Sequence, residues 1–434
     1  MTRLIQALPG GHEAREAVGN VHIMVTIRQS IQIGGMFQKI QKIQQMLRDP
    51  RMLNLLKFSK DGKEELKKED AKMEENRRKL SSLRELLKQF ADLKCSNDLD
   101  KVYALLGLTT NGSHKHFIPD YTKHPETLFV EVALYLLSMD HPFRVLCIAG
   151  IGHRRKYEDL PSWAPDWTTS PKGAEFDFAN YRYPKGTYTA SGDSQAQIVC
   201  HGEDKTLLVK SIYVDEIAFL GSPCSIRSSR GDFQVDLDLQ MFDRSGLEMD
   251  IAWHTEILEL ATAHAMPPLK TRANLTESLW RTLAADIDIS TRPAPLSLGD
   301  AYAGWVQLLE YTREFVLEEG RVPNDENFWA MVGIANRWGF AMGQGCSERK
   351  FCVTKGGYIG LVPPRSEVGD QIWVFLGAPT LYVLRRKAPV NVHERPFGEL
   401  TFALVGECYV DEMMDVEILE KDEKERRWEY VTLV

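Results

Sequence analysis

Met36, Ile40, Ile43 and Leu47 recur at spacings of four and three, so they share one face of a helix. Asp49-Pro50 is expected to end it, because a residue before proline avoids the α region. Upstream, residues 21–33 alternate in part and are rich in β-branched side chains, the pattern of one strand. Leu80, Leu83, Leu87 and Phe90, with Leu86 beside them, form a second helical stripe suited to core or partner contact. Residues 126–139 follow Pro125 at the first helical position; they are apolar nearly all round, which predicts a buried helix. Asp140-His141-Pro142 stops it, and residues 143–149 read as a short buried strand closed by Gly150-Ile151-Gly152.

Beyond Pro171 the pattern turns irregular and rich in Gly, Tyr and Ser. A strand-like run at 207–214 lies within 206–220, and 221–246 reads as a polar loop. Helical spacing returns at 251–265, 274–287 and 301–319. The last eighty residues change period: short β-rich runs occupy 351–353, 358–361, 371–376, 381–384 and 402–410, with glycine turns between the first four. That spacing predicts an antiparallel meander or a small barrel.

Charge alters this picture at one place. Residues 60–79 are almost all charged, with Glu64–Lys68, Glu74–Arg78 and Glu75–Lys79 paired four apart, as on a solvated helix or charged insert. The net charge of −8 speaks against a nucleic-acid partner, since phosphate contacts need a basic surface. The longest apolar run, 128–137, contains Glu131 and is far short of the roughly 20 residues of a membrane span. The N-terminus lacks the apolar core of a secretory signal. The cysteines are scattered, odd in number and without a C-x-x-C, so reduced thiols and a cytoplasmic location are expected, with no metal site.

Candidate chemistry is sparse. Gly150-x-Gly152 lacks the third glycine and following helix of a dinucleotide fingerprint and reads as a plain turn. His114, His116 and His124 lack a completing acid or cysteine, which favours solvent-facing rings over a metal cluster. Cys346, in Gly343-Gln344-Gly345-Cys346, is the one thiol in a glycine-rich setting; the reactive reading competes with a buried, inert one. His153-Arg154-Arg155-Lys156 is basic, but Glu158-Asp159 follow directly. No G-x-S-x-G elbow occurs, and no cofactor is expected.

Several stretches resemble one family in order. Asp100-Lys101-Val102-Tyr103-Ala104-Leu105-Leu106-Gly107-Leu108 resembles the segment closing fungal heterokaryon-incompatibility (HET) domains, with Leu99 where the family usually has Arg. Pro119-Asp120-Tyr121 and Leu160-Pro161-Ser162-Trp163-Ala164-Pro165-Asp166-Trp167 are similar to the next stretches of the family's chains. The distal resemblance rests on Gly357, Gly360 and Pro363, then Gly369-Asp370, then Arg385, then Gly406-Glu407 with Tyr409. The family's later H-G-I-M-x-G-E segment has no counterpart, Asp411–Glu417 standing in its place, and the opening segments of a HET domain do not occur before Leu80. The chain is therefore expected to be a truncated relative, a mis-spliced gene model, or a divergent member that reuses only the distal module.

The resemblance implies an α+β protein: a helical N-terminal part with a partial HET remnant (TIR-like α/β), a helical middle, and a β-rich C-terminal module. The expected divisions are 1–58, 59–79, 80–170, 171–345 and 346–434. It implies a role in fungal non-self recognition or programmed cell death through an unidentified protein partner. The alternatives are an enzyme or accessory protein of a secondary-metabolite gene cluster, or a truncated, inactive paralogue. Enzymatic activity cannot be carried over, because the opening strands that would wall a TIR-type cleft are not evident. NAD hydrolysis is not expected, although Glu126 and Glu131 are the acids nearest the motif. Each motif residue also has a structural reading. Asp100 suits a helix start, Gly107 a left-handed helix stop, and Pro161, Trp163, Pro165 and Trp167 a rigid segment packing a loop on the core.

Overall fold

The computed structural model describes residues 82–91, 93–109, 116–139, 142–169, 188–201, 205–224, 244–266, 273–288, 291–387, 400–419 and 428–434. The expected strand at 21–33, the helix at 36–47, the charged segment 60–79 and His114 lie outside them. Contacts group the chain into two compact units, one of 1–83, 103–117 and 230–237 and one of 84–102, 118–229 and 238–434. In the first, the described part includes residues 103–109, where Tyr103, Leu105 and Leu106 are buried. The second carries the strands and most of the helices.

The order of elements confirms the α+β class. Helices α1 (Leu83–Gln89), α2 (Asp100–Leu106) and α3 (Pro125–Leu137) come first. Strands β1 (Ile198–His201) and β2 (Thr206–Pro223) follow. Then come α4 (Arg244–His264), α5 (Leu275–Leu283), α6 (Leu296–Leu317) and α7 (Glu326–Cys346). Strands β3 (Lys350–Thr354), β4 (Ile359–Val362), β5 (Gln371–Phe375), β6 (Leu381–Arg386), β7 (Thr401–Val410) and β8 (Glu429–Leu433) close the chain.

The β-rich module is a closed barrel. The path β2-β3-β4-β7-β6-β5 returns to β2, which pairs with β5 through Ser211–Glu216 and with β3 through Ile217–Pro223. One strand serves both neighbours because its register shifts between Tyr213 and Asp215 and again after Ile217, the kinks that let a sheet bend on itself. β1 and β8 extend the first half of β2, and only the short β7–β8 contact is parallel. Closure leaves β7 buried along its whole length.

Three expectations need correction. Residues 143–149 do not form a strand: Pro142–Ile148 is a 3-10 helix, buried as predicted. A short apolar run fixes burial but not period, and proline at its head suits a helical turn. The stretch 221–246, expected to be all loop, is entered by regular elements at both ends: β2 runs to Pro223 and α4 begins at Arg244. Gly107 does not take positive φ; α2 stops instead where the Thr109 hydroxyl donates to the Leu106 carbonyl at 2.8 Å.

Helix α7 has no counterpart in the sequence expectation, which placed a β-rich module from 346. Gly333, Gly339, Gly343 and Gly345 weaken it, each by about 1 kcal/mol relative to alanine. Two features offset this. Asp325 caps the helix, accepting from the Phe328 N–H at 2.9 Å, and Phe328, Val332, Ala335, Trp338, Met342 and Cys346 form its buried stripe. Gly345 is required by contact, because a Cβ there would stand 2.3 Å from the Leu283 carbonyl. Cys346 is fully buried, donates to that carbonyl at 3.1 Å, and is pushed up by burial, so it is the inert thiol.

α4, α6 and α7 share an aromatic core. His254 is buried with Nε2 3.0 Å from the Tyr302 hydroxyl and its ring 5.0 Å from that of Trp305. Burial holds its pKa down to about 4, from 6.5. Because the folded value lies below the unfolded one, the unfolded chain takes up a proton that the native state refuses. Stability from this group is therefore complete above about pH 6.5 and falls as pH drops toward 4, by up to roughly 3 kcal/mol. Half-buried Asp250, one turn earlier, is pushed up to about 7 by burial and acts in the opposite sense. His254→Gln is expected to flatten the fall in thermal midpoint between pH 6.5 and 4.5. Melting curves that keep the wild-type slope would count against this.

Candidate functional site

Several motif residues meet around β7. Its register shifts between Val383↔Gly406 and Leu384↔Leu404, leaving Val405 as the extra residue. The bulge turns two carbonyls outward, and the turn after the 3-10 helix docks on them: the Ile151 N–H donates to Leu404 at 2.9 Å and the Gly152 N–H to Val405 at 2.8 Å. This explains the glycines. A Cβ on Gly150 or Gly152 would stand 2.2 or 2.4 Å from the Val405 carbonyl oxygen, and Gly150 and Gly406 both have positive φ. The turn forms no phosphate loop; the Ile151 and Gly152 N–H groups are engaged by β7.

The Pro161–Trp167 segment is buried throughout and is fixed at several points. The Ser162 N–H donates to the Val434 carbonyl at 2.8 Å, and the Ser162 hydroxyl accepts from the Leu404 N–H at 2.8 Å. The Trp163 indole donates to the Lys205 carbonyl at 2.9 Å. Asp166 accepts from the N–H groups of Lys156 (2.7 Å), Tyr157 (3.0 Å) and Thr168 (2.9 Å), and from the Thr168 hydroxyl. Its carboxylate thus shapes the loop.

Where the 3-10 helix packs on β7, buried Glu407 accepts from the Thr380 hydroxyl at 2.8 Å and the Cys147 thiol at 3.2 Å. The Tyr382 hydroxyl donates to the Phe143 carbonyl at 3.3 Å, and burial pushes its pKa up. Arg349 is buried nearby; burial lowers its pKa, while the Glu407 charge works the other way. On the rim, Arg385 grips Asp370 with Nε at 2.8 Å and Nη2 at 2.9 Å, and Glu367 with Nη1 at 2.7 Å. The pairing pins the turn whose Gly369 has positive φ.

Further motif residues have individual roles. Asp100 accepts from the Tyr121 hydroxyl at 2.8 Å. Lys101 donates to the Ala91 and Leu93 carbonyls, and exposed Pro119 precedes Asp120, whose carboxylate holds Thr122. A Cβ on Gly357 would meet Met266 at 2.6 Å, one on Gly360 the Tyr409 carbonyl at 2.4 Å, and one on Gly406 the Pro363 ring at 2.9 Å. The Tyr409 hydroxyl donates to Asp411 at 3.1 Å. His116 and His124 are exposed, and Glu131 pairs with Lys123 at 2.8 Å. Among the described residues no group of three or more His, Cys, Asp or Glu is placed to hold a metal. No helix of the described residues is long and apolar enough to cross a membrane.

The basic run splits into four roles. Lys156 pairs with Asp98. Arg155 donates to the carbonyls of Leu160 (2.7 Å) and Pro161 (3.1 Å), and its Nε is buried without a partner among the described residues. Arg154 is exposed. His153 lies against Gly406, its pKa held down to about 4 by burial and by the Arg349 and Arg365 charges. His153, Arg154 and Arg155, with Ala149, Gly150, Asp166 and others, line a small cleft of about 10 Å³, room for a single water. Sequence spacing gave no sign of Arg349 or Arg365, because they reach this place from either side of β3 and β4.

The fold defines a protein whose distal half is a closed barrel, locked by a bulged strand and a tryptophan-proline segment. Residues 329–430 match the model of the Het-6 beta-barrel domain. The chain is similar to "Heterokaryon incompatibility protein 6, OR allele" of Neurospora crassa, with 23% identity over 364 residues covering 76% of this chain and 50% of that protein. The chain thus spans about half the length of the curated relative it matches. No solved structure matches it. These similarities support a HET-family protein.

Proposed function

We propose that this protein acts in the cytoplasm in fungal non-self recognition or programmed cell death, through protein contacts, and that α7 pairs with α7 of a second copy. The reading rests on one surface. Trp329, Ile334 and Phe340 are large apolar side chains left 41–55% exposed on α7, within the residues matched by the Het-6 barrel. Ala330 and Gly333 are exposed between them, and a Cβ on Gly333 would touch nothing within 4 Å, so another backbone can approach closely. The face is self-complementary. In an antiparallel pair centred on Gly333, Trp329 of one copy meets Arg337 of the other, a cation–π contact made twice by symmetry. Asp288 and the Ser297 hydroxyl hold the Arg337 guanidinium in place.

Sedimentation across a concentration series is expected to show a dimer that Ile334→Asp weakens at least about tenfold, one buried charge without a partner being enough for that. Expression of the wild-type chain in a filamentous fungus is expected to cause cell death that the variant does not. A wild-type chain that stays monomeric, or a variant that kills equally, overturns the reading.

A further inference from the structure

We propose that the cleft beside His153 is an oxyanion site that takes the phosphate group of a small molecule, with one oxygen in the hollow and the others at its mouth. Four observations place it. The hollow holds one water-sized atom and is lined by His153, Arg154 and Arg155. Arg155 Nε is buried and without a partner, a donor that the protein itself does not satisfy. Among the described residues no hydrogen bond reaches the His153 ring, whose surroundings are apolar contact and guanidinium charge. Arg154, which lines the hollow, and Arg365, which lies outside its lining but whose charge reaches His153, are exposed and in no ion pair among the described residues.

Charge around the hollow is unbalanced. Arg349 is buried and its charge is offset by Glu407. Asp166 lines the cleft, but both its oxygens are taken up by backbone and Thr168 donors. Glu367 is engaged by Arg385. Arg154, Arg155 and Arg365 therefore supply positive charge with one carboxylate against them. Burial first, and then the Arg349 and Arg365 charges, keep His153 neutral, so it offers one ring N–H as a neutral donor. Guanidinium groups suit a tetrahedral dianion, which accepts several donors at once. The small hollow fixes orientation: a phosphate monoester enters with a free oxygen inward and its substituent toward solvent.

The test uses the full chain and inorganic phosphate, followed by phosphorus NMR line broadening at constant ionic strength. Saturable binding is expected. Arg154→Gln and Arg365→Gln change exposed side chains and leave the thermal midpoint in place. Each is expected to weaken binding about tenfold, the loss of one charge-assisted hydrogen bond. Acetate should compete at least about tenfold less well than phosphate. Non-saturable broadening, or binding unchanged in both variants, overturns the site. Equal competition by acetate overturns the choice of a tetrahedral dianion. None of these outcomes depends on the α7 contact or on a cell-death phenotype.

Discussion

Trp163→Ala is expected to abolish soluble protein, or to lower the urea midpoint more than any other single change at the motif positions. Trp163 is fully buried, and truncating such a side chain costs about 3–5 kcal/mol through lost packing and the cavity left behind. A domain typically holds only about 5–15 kcal/mol in total. The indole also donates to the Lys205 carbonyl at 2.9 Å, next to the start of β2, so truncation strips a buried acceptor as well. Trp163→Phe separates the two contributions: it keeps most of the apolar volume and loses the hydrogen bond. Among the described residues Trp167 has no partner for its indole N–H, so Trp167→Ala loses packing alone. The expected order of urea midpoints is wild type, then Trp163→Phe, then Trp163→Ala. A Trp163→Ala protein with the wild-type midpoint would show that the segment is a detachable arm.

The segment owes its role to the parts it joins. Ser162 ties it to Leu404 on the bulged strand and to the chain end at Val434, while Trp163 ties it to the foot of β2. Strands that reach the barrel from distant parts of the chain are thus held by one seven-residue stretch. The alternation of proline and tryptophan achieves this at low entropic cost. Proline limits the conformations lost on folding, and each indole covers a large area.

The sequence made some of this legible and not the rest, for identifiable reasons. The helix beginning at Pro125 starts where proline at N1 predicts, because that signal is local. The strand expected at 371–376 is β5 nearly to the residue, since Gly369 and Gly377 bracket it with positive φ. By contrast, Phe143 to Ile148 presents five buried apolar residues without a polar partner face, and such a run carries no period. α7 was hidden by its glycines, and its determinants are tertiary: the stripe from Phe328 to Cys346 is apolar because of the surfaces it packs against. The cleft at His153 was visible only as four basic letters. That Lys156 would be paired, Arg155 half-engaged by carbonyls and Arg154 left free depends on where Asp98 and Pro161 lie in space. Burial of Glu407 was equally illegible, since a glutamate flanked by glycine and cysteine is as readily a surface residue.

Arg281→Met is expected to be the most damaging change away from the barrel. Arg281 on α5 and Asp286 just beyond it are both nearly closed to solvent, with side chains 7% and 3% exposed. Nη1 donates to Asp286 at 2.5 Å and to the Ala294 carbonyl at 2.8 Å, and Nε donates to Glu277 at 2.8 Å. The pair sits at a turn that two non-glycine residues, Ala285 and Asp286, pass with φ of 51° and 53°. That conformation costs about 1 kcal/mol or more per residue and persists only where neighbours impose it. Tyr188 contributes by donating to the Ala285 carbonyl at 2.6 Å. Removing the guanidinium leaves a buried carboxylate uncompensated, which costs about 3–5 kcal/mol, and releases the turn. Replacing both partners should hurt less than replacing one, because a well-packed apolar pair has no charge to desolvate. The double-mutant cycle Arg281→Met, Asp286→Leu, measured by urea denaturation, is therefore expected to show a coupling of about 2 kcal/mol or more, with the double variant more stable than Arg281→Met alone. Additive losses would mean that Arg281 acts through Glu277 and Ala294 and that the ion pair does not hold the turn.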